Sequence, residues 1–362
     1  MTNSMTIGLS LMFAGLAFLV TLAATPLVIR LAIALGVVDQ PDPRKVHTRL
    51  MPRLGGLAIF AGYVAATVWM MATFREIKVI MLGALVIVAT GLLDDRFGLR
   101  PWVKLVGQIL AASVVVALGI QAQFIYFPFN SAGSIIEFGW LSIPLSIFWL
   151  VGVMNAVNLI DGLDGLAAGV TAIASTTMLI LALGMGNLPV VFMAAALIGS
   201  LIAFLFFNFH PAQIFMGDTG SLFLGYMMGV LSLLGFKQVA FTSFVVPLLV
   251  LAVPLSDTTF AILRRLLSGR SIAQPDKRHL HHALLALGLS HRQAVLAIYG
   301  LSLFFGLSAI LFSRTTLWWE VAILIVAAVI LLGGASFLGL IRETRHIYQL
   351  QRSIHTPRQR SK

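Results

Sequence analysis

The hydrophobic positions of this chain form long continuous blocks, and short stretches between them hold most of the polar residues. A bilayer core about 30 Å thick and a rise of ~1.5 Å per residue require roughly 20 apolar residues for each spanning helix. Membrane barrels would instead show alternating segments of roughly ten residues. The pattern therefore predicts an all-α polytopic membrane protein with about eleven transmembrane helices. The eleven apolar runs cover about residues 7–35, 54–73, 77–93, 102–120, 141–158, 166–185, 188–207, 219–236, 241–263, 292–313 and 317–341.

The first and ninth runs are longer than one span requires. The ninth is expected to tilt or to break, at Pro247 or Pro254. The first lacks a small-residue cleavage site, so we expect a retained helix rather than a removed signal peptide. Because no domain boundary is visible, residues 1–341 are predicted to form one integral-membrane domain, and residues 342–362 a basic cytoplasmic tail.

Basic residues fall on alternate connections between the predicted helices. One set of connections, with the tail, holds nearly all of them, whereas the other set holds only Arg75, Lys78, Lys237 and Arg314. Positively charged residues in short loops stay in the cytoplasm, so this bias predicts an outside N-terminus and a cytoplasmic C-terminus. The net charge of +11 is then a topology signal and an attraction to anionic membrane lipids, and we expect no nucleic-acid partner.

The overall composition agrees with this class of protein. Hydrophobic residues make up 59% of the chain and charged residues only 10%, far from the ~25% charged residues of a soluble domain. The sequence has no cysteine, which excludes disulfides and thiolate metal sites.

The aspartates are distributed unevenly across the predicted membrane. All nine lie on or near the cytoplasmic side, whereas three of the four glutamates, Glu76, Glu137 and Glu320, lie on or near the other. Acidic residues contribute little to membrane orientation, so topology does not explain this bias. We interpret the aspartates as parts of an active site on the cytoplasmic loops.

Three motifs at predicted helix ends hold most of these aspartates: GLLDDRFGLRP with Asp94 and Asp95, NAVNLIDGLDG with Asp161 and Asp164, and FNFHPAQIFMGDTGS with Asp218. Helix capping or turn formation is the alternative for any single aspartate. It does not account for three glycine-rich clusters on one face. Converging carboxylates need a cation, and oxygen ligands favour Mg²⁺, with Mn²⁺ as an alternative. Mg²⁺ usually binds together with substrate phosphates, so the expected substrate carries phosphate.

The segment NAVNLIDGLDG spaces its polar residues by three, from Asn155 through Asn158 to Asp161 and Asp164. This spacing winds the side chains from a helix end into the following turn. Asn158 could therefore offer a carbonyl oxygen to the metal, while Asp161 and Asp164 face the same pocket.

A histidine-rich segment, PDKRHLHHALLALGLSHRQ, covers residues 275–293. Zinc binding is one alternative for its histidines, but His281 and His282 are neighbours that point differently on a helix, and no closing ligand pattern follows. A solvated basic loop is another. The favoured interpretation is a phosphate or diphosphate clamp, which the basic segment RKVHTRLMPRLGG could extend with Lys45, His47 and Arg53.

The motifs GLLDDRFGLRP, NAVNLIDGLDGLAAG, FNFHPAQIFMGDTGS and RHLHH follow one another between successive predicted helices. In these motifs and in helix layout, over nearly the whole chain, the sequence resembles the polyprenyl-phosphate N-acetylhexosamine-1-phosphate transferases. The resemblance implies transfer of a sugar 1-phosphate from a UDP-linked N-acetylhexosamine to a polyprenyl phosphate, with release of UMP. It further implies a bacterial cytoplasmic membrane location and a first step in cell-wall or surface polysaccharide synthesis.

The resemblance also implies roles for single residues. Asp218 would hold Mg²⁺, with Asn158 as a second oxygen ligand. The implied catalytic residues are Asp94 and Asp95, facing the lipid phosphate, and Asp161 and Asp164, organising the nucleotide-sugar site. Phe215 and Asn208 would stack on and hydrogen-bond the uracil. The full set of implied substrate contacts is Lys45, His47, Asn155, Asn208, Phe215, His279, His281 and His282.

Two reaction routes and two donor sugars are considered. Asp94 could act as a base in one direct displacement, which we favour, or attack first as a nucleophile. Leu280 interrupts the histidine run, as in the N-acetylglucosamine-1-phosphate branch, whereas the phospho-N-acetylmuramoyl-pentapeptide-transferase branch has three consecutive histidines. Asp257 also resembles the former branch, although it could simply pair with Arg264 or Arg265.

Two further hypotheses concern function and assembly. A transporter or lipid flippase would place ionisable residues near the bilayer midplane and would show paired broken helices, and the sequence shows neither pattern. Gly225 and Gly229 in GYMMG permit close helix contact, which is a weak indication of a homodimer.

Overall fold

The chain folds into a bundle of helices with two small antiparallel strand pairs. The computed structural model describes residues 3–39, 50–127, 134–235, 242–267, 279–315, 318–334 and 336. The strands are β1 (Val38–Asp39), β2 (Met51–Pro52), β3 (Phe124–Phe127) and β4 (Ser134–Glu137). The helices are α1 (Asn3–Ala34), α2 (Gly55–Thr67), α3 (Arg75–Phe97), α4 (Pro101–Ala117), α5 (Ser142–Ile160), α6 (Leu166–Met185), α7 (Leu188–Asn208), α8 (Gly217–Gly235), α9 (Thr242–Val250), α10 (Ala252–Leu267), α11 (Leu280–Ala286), α12 (His291–Phe312) and α13 (Trp318–Gly334).

The helices confirm the prediction of an all-α polytopic membrane protein. Within the described residues, seven helices are long and apolar enough to cross a membrane. Large apolar side chains such as Leu11, Phe148 and Trp319 are exposed on the outside of the bundle, as expected where lipid replaces water. Each predicted apolar run coincides, as far as it is described, with one helix or with two consecutive segments.

The ninth apolar run is divided into α9 and α10, as predicted, and the interruption lies at Leu251 between the two prolines. Pro254 has no backbone N–H, so the carbonyl of Val250 loses its helical partner. The flanking bonds remain, since Leu251 N donates to Pro247 O at 3.0 Å and Leu255 N donates to Leu251 O at 3.0 Å.

Helix α8 forms the centre of the bundle, and nearly all of its residues are buried. It packs against α2, α3, α5, α6 and α7. Small residues allow these close approaches, because added methyl groups at Gly56 or Gly91 would collide with the backbone of the first turn of α8. Gly225 and Gly229 face α5 of the same chain at Met154 and Leu150, so the GYMMG motif is used within the bundle.

Alternation of helix direction brings the ends that carry the aspartate motifs to one face of the bundle. The C-terminal ends of α3, α5 and α7 meet the N-terminal ends of α4, α6 and α8 there. The segment that follows β2 is hydrogen-bonded to the connection before α8: Phe215 N donates to Pro52 O at 2.8 Å, and Gly55 N donates to Phe215 O at 3.0 Å. Helix ends and extended segments thus form the floor of one site.

Candidate functional site

Lys104 in the first turns of α4 joins two of the predicted aspartate motifs. Its Nζ lies 3.1 Å from Asp94 Oδ2 and 3.3 Å from Asn158 Oδ1, and it forms an ion pair with Asp218. Asn158 Nδ2 in turn donates to Asp218 Oδ1 at 2.9 Å and to Ser221 Oγ at 2.7 Å. Three oxygen-bearing side chains from three helices therefore converge on the ammonium group of Lys104. We call Asp94, Lys104, Asn158 and Asp218 the carboxylate–lysine centre.

Asp95 has a different environment from its neighbour Asp94. Its side chain is fully buried, and its carboxylate accepts hydrogen bonds from Asp218 N at 2.8 Å, Thr219 N at 2.9 Å and Thr219 Oγ1 at 2.6 Å. These are orphan donors at the start of α8, so Asp95 supplies an N-cap from another helix. The carboxylate points at this helix end, and Asp95 is not among the residues that line the cavity described below, so in the structure it positions the turn that carries Asp218. Its role toward the lipid phosphate stays a prediction.

Replacing Asp95 by asparagine is expected to lower the free energy of unfolding by about 1–3 kcal/mol, because an amide presents one acceptor oxygen where the carboxylate presents two. The midpoint of thermal unfolding in detergent measures this. Glu76→Gln, at the exposed opposite end of α3, is the matched control and should leave the midpoint unchanged. An Asp95→Asn protein as stable as the control would contradict the capping role.

A cavity of about 820 Å³ opens beside the carboxylate–lysine centre. Its walls are the end of α5 with the turn that follows, the connection between α7 and α8, the segment around β2 with Arg53, and the start of α12. Among the predicted site residues, the structure places six in this wall: Asn158, Asp161, Asp164, Asn208, Phe215 and Asp218. The predicted convergence of the second and third motifs on one pocket is thus present in the fold.

Asp161, in the turn after α5, is the cavity acid with the most perturbed protonation. Burial disfavours its carboxylate, and the negative charge of Asp218 adds to the effect, so that the pKa of Asp161 rises to about 7. The Asp161 carboxyl therefore changes its charge close to neutral pH. A group with such a pKa can accept or release a proton under physiological conditions.

Two predicted substrate contacts are engaged within the protein. Asn155 and Gln108 hydrogen-bond one another, with Asn155 Nδ2 2.9 Å from Gln108 Oε1, and this pair joins α5 to α4. Asn208 is buried; its Oδ1 accepts from Gly165 N at 3.1 Å, and its Nδ2 donates to Ile214 O at 2.8 Å. Both amides hold neighbouring elements in place, and their contact with substrate stays a prediction.

The predicted histidine clamp is built around Asp257. Asp257 Oδ2 lies 2.9 Å from His279 Nδ1, and Asp257 Oδ1 accepts from Leu280 N at 2.8 Å at the start of α11. His281 is buried and packs against Gly162 of the cavity wall, and burial together with the neighbouring His282 lowers the pKa of His281 to about 4. His281 is therefore neutral at pH 7, so any positive charge for a phosphate must come from elsewhere.

Several features stand apart from the sequence predictions. Lys45, His47 and the tail from residue 342 lie outside the described residues. The central role of Lys104 was missed because the positive-inside rule already accounted for a lysine at this end of α4. His210 and His291 also line the cavity, and no pattern in the sequence connects these two residues.

Together, the fold and the site define an integral membrane protein with an acidic cavity at the helix ends, beside the carboxylate–lysine centre. Residues 77–236 match the family model described as glycosyl transferase family 4. The chain is 46% identical over 327 residues to a probable undecaprenyl-phosphate N-acetylglucosaminyl 1-phosphate transferase of Bacillus subtilis, covering 90% of this chain and 91% of the relative. The protein belongs to glycosyl transferase family 4.

Other relatives carry two kinds of name. A decaprenyl-phosphate N-acetylglucosaminephosphotransferase of Mycolicibacterium smegmatis is 37% identical over 352 residues, with 87% of this chain and 86% of the relative covered. A phospho-N-acetylmuramoyl-pentapeptide-transferase of Geobacillus kaustophilus is 30% identical over 319 residues, with 82% and 95% covered. Among these three relatives, the two with the higher identities are named for N-acetylglucosamine.

Proposed function

We propose that the protein transfers N-acetylglucosamine 1-phosphate from UDP-N-acetylglucosamine to undecaprenyl or another polyprenyl phosphate, releasing UMP. The observation that carries this proposal is the carboxylate–lysine centre beside a cavity of about 820 Å³, large enough for a nucleotide sugar. The relatives named for the same sugar and for a polyprenyl phosphate acceptor support it. Such a product would be the first lipid-linked intermediate of a cell-wall or surface polysaccharide.

Mg²⁺ is the cofactor that the proposal includes, with Mn²⁺ as an alternative. The ligand chemistry fits: the carboxylates of Asp94 and Asp218 and the amide oxygen of Asn158 already converge on the ammonium of Lys104. Mg²⁺ takes oxygen ligands, and Asp218 and Asn158 both supply oxygen at the cavity wall, where a donor diphosphate would lie. We propose Asp218 and Asn158 as its ligands. When bound, the ion would neutralise the diphosphate of the donor and the charge that develops on the leaving UMP.

The residues of the chain would contribute charge and orientation. Asp94 is held at both carboxylate oxygens, by Leu99 N at 2.7 Å and by Lys104 at 3.1 Å, which suits a group that fixes Lys104 better than a nucleophile. Lys104 would stabilise the phosphate oxygens during transfer. These contacts favour one direct displacement, in which the acceptor phosphate oxygen bonds to the β-phosphorus of the donor and the bond to UMP breaks.

Asp161 is the proposed proton acceptor, because its pKa of about 7 lies near the pH at which the reaction would run. It would take the proton from a singly protonated lipid phosphate before attack. Asp164 and Phe215, which share the cavity wall, would contact the nucleotide sugar. His281, which is neutral at pH 7, and His282 would act as hydrogen-bonding groups toward phosphate or sugar.

The pH dependence follows from the raised pKa of Asp161. Only its carboxylate can accept a proton, and only a singly protonated lipid phosphate, with a second pKa of about 6, has one to give, so kcat/KM is expected to be bell-shaped with a maximum between about pH 6 and 7. Asp161→Asn should be slower and should lose this bell shape. In the native protein the Asp161 carboxyl keeps its proton up to about pH 7, whereas in the unfolded chain the same carboxyl loses it from about pH 4 upward. The free energy of unfolding contributed by Asp161 therefore falls as the pH rises from about 4 to 7. Rate profiles from pH 5.5 to 9 measure the kinetic effect, and an unchanged profile in Asp161→Asn would contradict it.

The membrane arrangement belongs to the same proposal. We propose about eleven spans with the N-terminus outside, the C-terminus in the cytoplasm and the site at the cytoplasmic face of a bacterial inner membrane. The support is the concentration of Lys and Arg on the connections at the site end of the bundle. Cysteine labelling tests this: the chain has no native cysteine, so Arg100→Cys should be protected from an impermeant reagent in whole cells and Glu76→Cys should react.

The activity itself is tested with purified full-length protein, undecaprenyl phosphate and Mg²⁺. UDP-N-acetylglucosamine and UDP-N-acetylmuramoyl-pentapeptide are offered in parallel, and UMP release and the lipid product are measured. We expect product from the first donor only. Product from the second donor alone would place the protein in the other branch of the family, and no product from either, in a folded sample, would overturn the proposal.

A further inference from the structure

A second group of metal-ligating side chains lies in the same cavity as the carboxylate–lysine centre. Asp164, His210 and His291 each offer one ligand atom, and these three atoms lie within 4.8 Å of one another. Asp164 belongs to the turn after α5, His210 follows α7, and His291 begins α12. The three residues therefore meet only in the folded chain, and unlike the carboxylate–lysine centre they combine nitrogen with oxygen.

Hydrogen bonds hold two of these groups in fixed positions. His210 Nδ1 lies 2.8 Å from Asp164 Oδ2, and the same oxygen accepts from Ala212 N at 3.1 Å. Arg292 donates from Nε and Nη2 to the His210 carbonyl, at 3.2 and 3.0 Å. The bonds from Ala212 and Arg292 are outer contacts of the kind that orient ligands in metal sites, whereas the bond between His210 and Asp164 joins two of the ligating residues themselves. The group is thus largely arranged in advance of binding.

His291 completes the group but is itself poorly satisfied. Its ring stacks on that of His210, with centroids 4.2 Å apart and an interplanar angle of 17°. Its ring lies beside the backbone of Asp164, yet both ring nitrogens are buried and neither makes a hydrogen bond of good geometry within the described part of the chain. Buried polar atoms normally have a partner, so this imidazole points to a ligand.

We propose that Asp164, His210 and His291 bind a divalent transition-metal ion of the zinc type. Two imidazoles and one carboxylate are ligands typical of Zn²⁺, whereas Mg²⁺ prefers oxygen alone. Three protein ligands leave one position open to water or to a phosphate oxygen in the cavity. This site is chemically distinct from the proposed Mg²⁺ ligands and does not depend on the proposed transferase activity.

Cobalt binding tests the site without any activity assay. Tag-free full-length protein in detergent is treated with a chelator, transferred to buffer with excess Mg²⁺, and titrated with Co²⁺, which gives strong visible absorption in four-coordinate nitrogen and oxygen sites. We expect one Co²⁺ per chain, displaced by Zn²⁺. His210→Gln and His291→Gln keep a hydrogen-bonding side chain but should weaken Co²⁺ binding by on the order of 100-fold or more, since loss of outer contacts alone costs 10–100-fold.

Matched variants separate this site from other metal-binding groups. Asp218→Asn should retain the cobalt spectrum, and so should His282→Gln, which changes an exposed histidine of another cluster. Zn²⁺ should also raise the thermal unfolding midpoint of the unmodified protein but not of His291→Gln, provided both fold. Absence of cobalt bands in the unmodified protein would overturn the proposal in favour of a hydrogen-bonding role. Bands that survive in His291→Gln and vanish in Asp218→Asn would also overturn it.

Discussion

Asp218→Asn is expected to lower kcat/KM for sugar-phosphate transfer by on the order of 10³-fold, the upper range for removal of one group that stabilises transition-state charge. Asp218 receives Lys104 on one carboxylate oxygen and Asn158 Nδ2 on the other. Asparagine keeps the size of the side chain but loses its charge and one acceptor oxygen. Lys104 is then only partly neutralised, and the proposed Mg²⁺ ligand is weakened.

UMP release with UDP-N-acetylglucosamine, at several Mg²⁺ concentrations, measures this effect. The matched control is Glu137→Gln, which makes the same carboxylate-to-amide change on the exposed strand β4. Its rate should equal that of the unmodified protein. If Asp218→Asn retains more than about one tenth of the activity while folded, Asp218 is not central to the chemistry.

Lys104→Met is expected to lower kcat/KM by on the order of 10²-fold. Methionine is close in length but carries no charge, so Asp94 and Asp218 would repel one another across the space that the ammonium now occupies. The loss should appear mainly in kcat, because Lys104 is proposed to stabilise charge that develops during transfer.

Arg100→Met is the control for Lys104→Met. It removes one positive charge at the same end of α4, but Arg100 is exposed, so only the general attraction for anionic substrates is lost. We expect at most a small rise in KM. Equal losses in the two variants would show that net charge, not the position of Lys104, matters for the reaction.

Much of the fold could be predicted from the sequence because one physical constraint dominates it. A backbone segment inside the bilayer must satisfy its own hydrogen bonds, so each long apolar run becomes a helix. The break in the ninth run was predictable for the same kind of reason, since Pro254 lacks a backbone N–H. The lateral arrangement of the helices was not, because contacts such as those of Gly56 and Gly91 with α8 depend on shape rather than on hydropathy.

The site was predicted in part. The aspartate motifs gave the acidic residues and the face of the bundle, but not which carboxylate meets which donor. Asp94 and Asp95 are adjacent in sequence, yet one contacts Lys104 and the other caps α8. The same limit hid the pairing of Asn155 with Gln108 and the meeting of His210 with His291, because tertiary contacts between helices leave no local signal.

The position of α8 has a consequence for biosynthesis. The helix that begins with Asp218 is rich in glycine and serine and is absent from the seven described helices that are apolar and long enough to cross a membrane by themselves. A helix surrounded by other helices makes little contact with lipid, so it can keep these small and polar residues. We expect α8 to enter the bilayer stably only when its neighbours are there to receive it, so that the Asp218 carboxylate is positioned as the bundle closes.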